Sequence, residues 1–226
     1  MRLVWIALIF VAFAMPAAAQ TPPSPAEIAA YSGLHAAAAK GDTAEIGRLL
    51  KSGTAVDARD NYARTPLHVA IYRSQGPAAL ALIKGGADPN TLEAQQYDIV
   101  TIASVANDVP MLKLALANGG KATNITSPYV GTALIAAAHL GHDEIVRMLI
   151  AAKAPLDHVN NLGWTALIES IVLGDGGKRH TASLQALVKA GANVNLADRS
   201  GRTPLTLAKG RGYTEMTKIL EAAGGK

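Results

Sequence analysis

Thr65-Pro66-Leu67-His68-Val69-Ala70 does not stand alone in this chain. It returns as Thr132-Ala133-Leu134-Ile135-Ala136-Ala137, as Thr165-Ala166-Leu167, and as Thr203-Pro204-Leu205-Thr206-Leu207-Ala208. Weaker copies stand at Ser32-Gly33-Leu34-His35-Ala36-Ala37 and at Asp98-Ile99-Val100-Thr101-Ile102-Ala103. The central apolar residue therefore falls at 34, 67, 100, 134, 167 and 205, at intervals of 33, 33, 34, 33 and 38. A second punctuation follows each one at Gly53, Gly86, Gly120, Lys153, Gly191 and Gly224, where Lys153 is the departure. A fixed period of this length is the signature of a stacked repeat.

Each unit reads as two short helices. The first starts at the Thr-Pro step, where Thr caps and Pro suits the first turn. The second ends with apolar pairs such as Leu82-Ile83 and Leu149-Ile150, and the glycine then closes it in a left-handed turn. An extended segment such as Ala192-Asn193-Val194-Asn195 leads to the next copy. One such unit cannot bury its own apolar face, so neighbours must stack. The motif at Thr65–Ala70, Gly-His-x-Glu-Ile-Val at Gly141–Val146 and Gly-Ala-x-Val-Asn at Gly191–Asn195 resemble the ankyrin-repeat pattern. The resemblance spans about residues 32–226. It implies an all-α ankyrin-repeat solenoid of about six helix-loop-helix repeats with short projecting loops. It also implies that His35 and His68 are structural, tying their turns through backbone hydrogen bonds.

Composition agrees with close-packed helices: half of the 226 residues are apolar, but only 4% are aromatic. Charge is sparse, with a net of +4 and no basic run dense enough for a nucleic-acid or membrane-surface patch. The absence of cysteine excludes disulfides, thiolate nucleophiles and Cys-based zinc sites. Arg2, the apolar run Leu3–Ala14, Pro16 and Ala17-Ala18-Ala19 together have the form of a secretory signal peptide. Residues 1–19 are expected to be cleaved before Gln20, which gives a periplasmic or secreted protein of the exported bacterial type, without stable membrane insertion. Removing Arg2 leaves 20 basic against 17 acidic residues, a net of +3. Residues 20–31 then form a flexible leader, Gln20–Pro23, and a capping segment that opens with the capping-box pattern Ser24-Pro25-Ala26-Glu27.

Chemistry-bearing constellations are few. His139 and His142 stand three residues apart, but in the repeat reading they end a first helix and begin a second. Gly174-Asp175-Gly176-Gly177-Lys178-Arg179 lacks the spacing and the preceding strand of a phosphate loop. It reads as an insertion, Asp175–Arg179, between the helices of copy five. Glu169 breaks an otherwise apolar column formed by Ala36, Val69, Ile102, Ala136 and Leu207. A carboxylate there needs a partner, and Lys178 or Arg179 is the expected one. No catalytic set, cofactor or metal is implied.

In ankyrin proteins partners are held by projecting loops and first helices, which implies a protein partner here. The residue before each motif Thr makes one row: Arg64, Tyr97, Gly131, Trp164 and Arg202. Other loop positions add Arg59, Tyr62, Tyr129 and Arg199, and the first helix of copy two adds Tyr72 and Arg73. Trp, Tyr and Arg are the residue types richest at binding hot spots. The expected function is a protein-interaction module. The alternatives are an accessory or protective factor for a periplasmic enzyme, or a small-molecule or metal binder around His139, His142 and Glu169.

Overall fold

A computed structural model describes residues 20–226; the expected signal peptide, residues 1–19, lies outside them. A short helix α1 (Pro25–Ala30) precedes six helix pairs. These are α2 (Gly33–Lys40) with α3 (Thr43–Lys51), α4 (Pro66–Tyr72) with α5 (Gly76–Lys84), and α6 (Ile99–Val105) with α7 (Val109–Ala117). Then come α8 (Ala133–His139) with α9 (Asp143–Ala151), α10 (Ala166–Val172) with α11 (Lys178–Lys189), and α12 (Pro204–Gly210) with α13 (Thr214–Ala222). First helices pack on first helices from α2 to α12, and second on second from α3 to α13. The result is a two-layered helical solenoid, with no β-strand among the described residues.

The repeated motif explains the start of the first helix in five of the six pairs; Ser32, before α2, makes no such side-chain bond. The hydroxyls of Thr65, Thr132, Thr165 and Thr203 accept the backbone N–H three residues on, satisfying a donor the helix cannot pair. In copy three the Asp98 carboxylate takes over, accepting from Thr101 N and from Thr101 Oγ1. Asp98 is fully enclosed, and that burial pushes its carboxyl above the ordinary range. His68 does the tying expected of it. Its Nδ1 accepts Thr65 N–H at 3.1 Å, while Nε2–H donates to the carbonyl of Thr91 at 3.0 Å. The central apolar residues Leu34, Leu67, Val100, Leu134, Leu167 and Leu205 are all buried, and Ala70, Ala103, Ala137 and Ala208 between them let the helices close up.

Second helices end in a left-handed residue at Gly53, Gly86, Gly119, Lys153, Gly191 and Gly224. In copy three the turn residue is thus Gly119, not the expected Gly120. Gly120 is needed for a different reason: a Cβ there would lie 2.7 Å from Val100 Cγ2 and 2.8 Å from the Ala115 carbonyl oxygen. Lys153 holds φ +65°, a strained conformation for a residue with a Cβ. Lys153→Gly is therefore expected to stabilise the chain by about 0.5–1 kcal/mol, net of the extra freedom glycine gains when unfolded. Urea unfolding would read the gain, and a loss would refute the strain argument.

Candidate protein-binding surface

The segments between helix pairs are hairpins, each closed by a backbone bond across its base. Asp60 N–H donates to Arg64 O, Glu93 to Tyr97, Thr126 to Gly131, Asn160 to Trp164, and Asp198 to Arg202, at 2.9–3.1 Å. Each turn ends in a left-handed residue: Ala63, Gln96, Val130, Gly163 or Gly201. That is the geometry of a short hairpin with a bulge.

One side chain at each base holds the turn. Asp60 Oδ1 accepts the N–H groups of Tyr62 and Arg64, at 2.8 and 2.9 Å. Glu93 Oε1 does the same for Gln95 and Tyr97, Asn160 Oδ1 for Leu162 and Trp164, and Asp198 Oδ1 for Ser200 and Arg202. In copy four the base residue is Thr126, and Ser127 Oγ supplies the bonds to Tyr129 and Gly131 instead. These base residues recur with the repeat period, a signal that their mixed Asp, Glu, Asn and Thr chemistry concealed.

Backbone bonds also join hairpin to hairpin. Ala94 N–H reaches Tyr62 O at 2.9 Å, Ser127 reaches Gln96 O at 2.8 Å, and Asn161 reaches Tyr129 O at 2.9 Å. Beyond that the Arg199 guanidinium takes over, donating to Asn161 O at 2.6 Å. The tips are thus fixed in a continuous row.

The row of residues before each Thr needs correction as an exposed surface. Arg64 is 2% exposed and Tyr97 5%, and Gly131 is buried. Trp164 is half-buried, and Arg202 is exposed but paired with Asp198 at 2.7 Å. Arg64 is enclosed because it is paired: Nε donates to Asp60 Oδ2 at 2.7 Å and Nη2 to Glu27. Its guanidinium lies 4.6 Å from the centre of the Tyr62 ring. Burial pushes the Asp60 carboxyl upward, but hydrogen bonds from Tyr31 and Arg64 outweigh it and hold the group below its ordinary value. Tyr72 and Tyr129 are half-buried, whereas Tyr62, Arg73 and Arg59 are exposed. Arg59 braces its hairpin by donating to the carbonyls of Ala63 and Leu92.

What sequence reasoning missed is the apolar character of the tips. Of the seven exposed large apolar side chains among the described residues, three lie on hairpin turns, Tyr62, Val130 and Leu162, and two more, Ile125 and Val159, stand immediately before a hairpin base. Scattered single apolar residues are ordinary on a surface, but Val130 and Leu162 on adjoining rigid turns, with Tyr62 two turns away, have the pattern of a contact face.

Glu169 is buried as expected, but its expected partners are wrong. Asn160 Nδ2 donates to Oε1 at 2.8 Å, and His139 Nδ1 lies 3.3 Å from Oε2, while Lys178 and Arg179 are exposed. A neighbouring repeat supplies the histidine, so spacing within copy five could not reveal it. The nearby His142 Nδ1 is bonded to the Ser104 carbonyl at 2.9 Å. Among the described residues no group of three or more His, Asp or Glu could hold a metal ion. The insertion does less to the turn than expected: Lys178 and Arg179 open α11, which has 12 residues where the other second helices have 9. No helix among the described residues is long and apolar enough to cross a membrane.

A family model for ankyrin repeats, in three copies, matches residues 20–93 and 100–198. The chain is 33% identical over 189 residues to the ankyrin repeat protein YahD of Escherichia coli (strain K12), covering 83% of this chain and 94% of that one. The crystal structure of an ankyrin repeat domain from Acinetobacter baumannii AYE superposes with a TM-score of 0.81 at 45% identity. That match covers 85% of this chain and 98% of the other. The ankyrin repeat domain of Bcl-3, an IkappaB family member, superposes at 0.77 with 26% identity, covering 87% of each chain.

Proposed function

Because the chain belongs to the ankyrin-repeat family, whose repeats are protein–protein interaction modules, we propose that it is an exported binding module that holds its partner on the row of hairpin tips. The observation that carries this reading is the concentration of exposed apolar side chains on turns already joined by backbone bonds. A rigid row loses little conformational freedom when a partner docks, so more of the contact energy appears as affinity. Tyr62, Val130 and Leu162 are the contacts, and Arg59, Arg199 and Arg202 set the charge around them. Arg64 and Tyr97 act from beneath, by fixing the hairpins of copies two and three. Trp164 offers one face to the partner, and Tyr72, Arg73 and Tyr129 border the row. Export rests on the signal-peptide pattern, and the chain recovered from its native host is expected to begin at Gln20 by mass spectrometry.

Capture from the native exported fraction tests the surface. The triple variant Tyr62→Asp, Val130→Asp, Leu162→Asp is expected to weaken retention of the captured partner about tenfold, as desolvated apolar contacts at a hot spot would. A control pair, Leu140→Asp with Leu173→Asp, alters exposed apolar residues at the turns between helices and is expected to change nothing. Loss with the control and retention with the triple variant would move the site to the other side of the stack.

A further inference from the structure

Residues 20–24 precede the repeats, yet they are docked, contrary to the flexible leader expected from sequence. Their shape follows from their composition. Thr21, Pro22 and Ser24 each precede a proline, which drives them to extended conformations, and the rings of Pro22 and Pro23 fix φ. Ser24 sits at φ −66° and ψ 159°, in the polyproline region. A segment so restricted before it docks has little freedom left to lose.

Its anchors bridge two repeats. Thr21 N–H donates to Gln95 Oε1 at 3.0 Å, in the hairpin of copy three. At the other end Glu27 pairs with Arg64 at the hairpin of copy two, and Tyr31 OH donates to Asp60 Oδ2 at 2.7 Å. Pro23, between these anchors, is buried. The capping box of Ser24 and Glu27 joins the extended segment to α1. The anchors of the strap and of α1 therefore flank Arg64 and Tyr97, which are buried, whereas Trp164 is half-buried and Arg202 exposed.

The Tyr72 hydroxyl and Gln20 Nε2 are buried and make no hydrogen bond among the described residues. Tyr72 lies within electrostatic reach of Glu93, Arg64 and Tyr97.

We propose that the groove over copies two and three is a docking site for an extended, proline-containing segment of a partner protein, and that Gln20–Ser24 occupies it in cis until displaced. The proposal rests on the protein-binding reading above and supplies the chemistry of the partner. Recognition is by the ready-made extended backbone, with the Gln95 carboxamide accepting a backbone N–H and the buried prolyl ring filling the groove. The covalent tether gives the strap a high effective concentration, so a partner must bind tightly or engage the hairpin tips as well.

Fluorescence anisotropy on the full chain tests it. The probe is a labelled synthetic peptide reproducing residues 20–29, Gln-Thr-Pro-Pro-Ser-Pro-Ala-Glu-Ile-Ala. The variant Thr21→Pro with Pro23→Asp removes the N–H donor and puts a charge at the buried ring, leaving every groove residue intact. It is expected to bind the probe at least tenfold more tightly than the unaltered chain. Thr21→Pro alone, a milder change that keeps Pro23, is expected to fall between the two. A probe with both central prolines replaced by alanine is expected to bind at least fivefold more weakly. Equal affinity of the released and unaltered chains, no binding to either, or equal binding of the alanine probe would overturn the proposal. Such a failure with tip-dependent capture intact would remove the strap and leave the protein-binding reading standing. Probe binding without tip-dependent capture would support the groove and remove the tips.

Discussion

Arg64→Ala is expected to destabilise the folded chain by about 3 kcal/mol, at the lower edge of what breaking a buried ion pair costs. The guanidinium is 2% exposed and meets two carboxylates, Asp60 and Glu27, with the Tyr62 ring close by. Removing it leaves Asp60 with its Tyr31 bond and its two backbone donors but without its countercharge. Glu27 also loses its pairing with the hairpin of copy two, which leaves α1 and the strap held by Tyr31, Thr21 and Pro23 alone. Arg64→Lys should recover little, because one ammonium cannot address both carboxylates in the planar geometry that Arg provides. Urea unfolding of the single variants and of the double variant with Asp60→Asn would measure the coupling. A loss below about 1 kcal/mol, the range of exposed pairs, would show that the cluster contributes only as surface charges do.

Acidification should act through His68. Burial lowers its pKa from the ordinary 6.5 to about 4, and the geometry agrees: Nε2–H donates to Thr91 O while Nδ1 must remain a bare acceptor for Thr65 N–H. A proton on Nδ1 would destroy the second bond. Because the folded value lies below the unfolded one, the unfolded chain takes up the proton first, and stability falls with pH. The contribution is intact above pH 6.5, is down by about 2 kcal/mol at pH 5, and by about 3 kcal/mol at pH 4. Burial raises the carboxyls of Glu93 and Asp98, which works in the opposite sense, since acid relieves their desolvation. The measurement is therefore the difference between the unaltered chain and His68→Gln, by urea unfolding between pH 7.5 and 4. A difference independent of pH would mean that folding leaves the His68 pKa unshifted, against the lowering that burial imposes.

The repeats were legible because their determinants are local and recur. A capping Thr, a central Leu and a closing Gly recur in most copies, and Asp98, Val100 and Lys153 stand in the same places where they do not, so periodicity exposes them. Other features depend on what lies far away along the chain. Arg64 and Tyr97 share their motif position with Trp164 and Arg202, and nothing in the motif says that the first two are buried or that Glu27 pairs with Arg64. Glu169 was visible as an anomaly, but its histidine comes from the preceding copy and its amide partner from the base of a hairpin. Gly119 and Gly120 are adjacent and both required, one for its dihedral and one for close packing, and sequence alone could not assign the roles.

The copy-five insertion sits between the two helices, where α11 takes up part of it, while the hairpins on either side remain linked through Asn161 and Arg199. Length and address are thus kept in separate places in this chain. Residues can be added at the helix-to-helix turn, as at a margin, without moving any letter in the line of tips that a partner reads. A foreign peptide grafted at 175–177 would then ride on the stack as a passenger, out of phase with nothing.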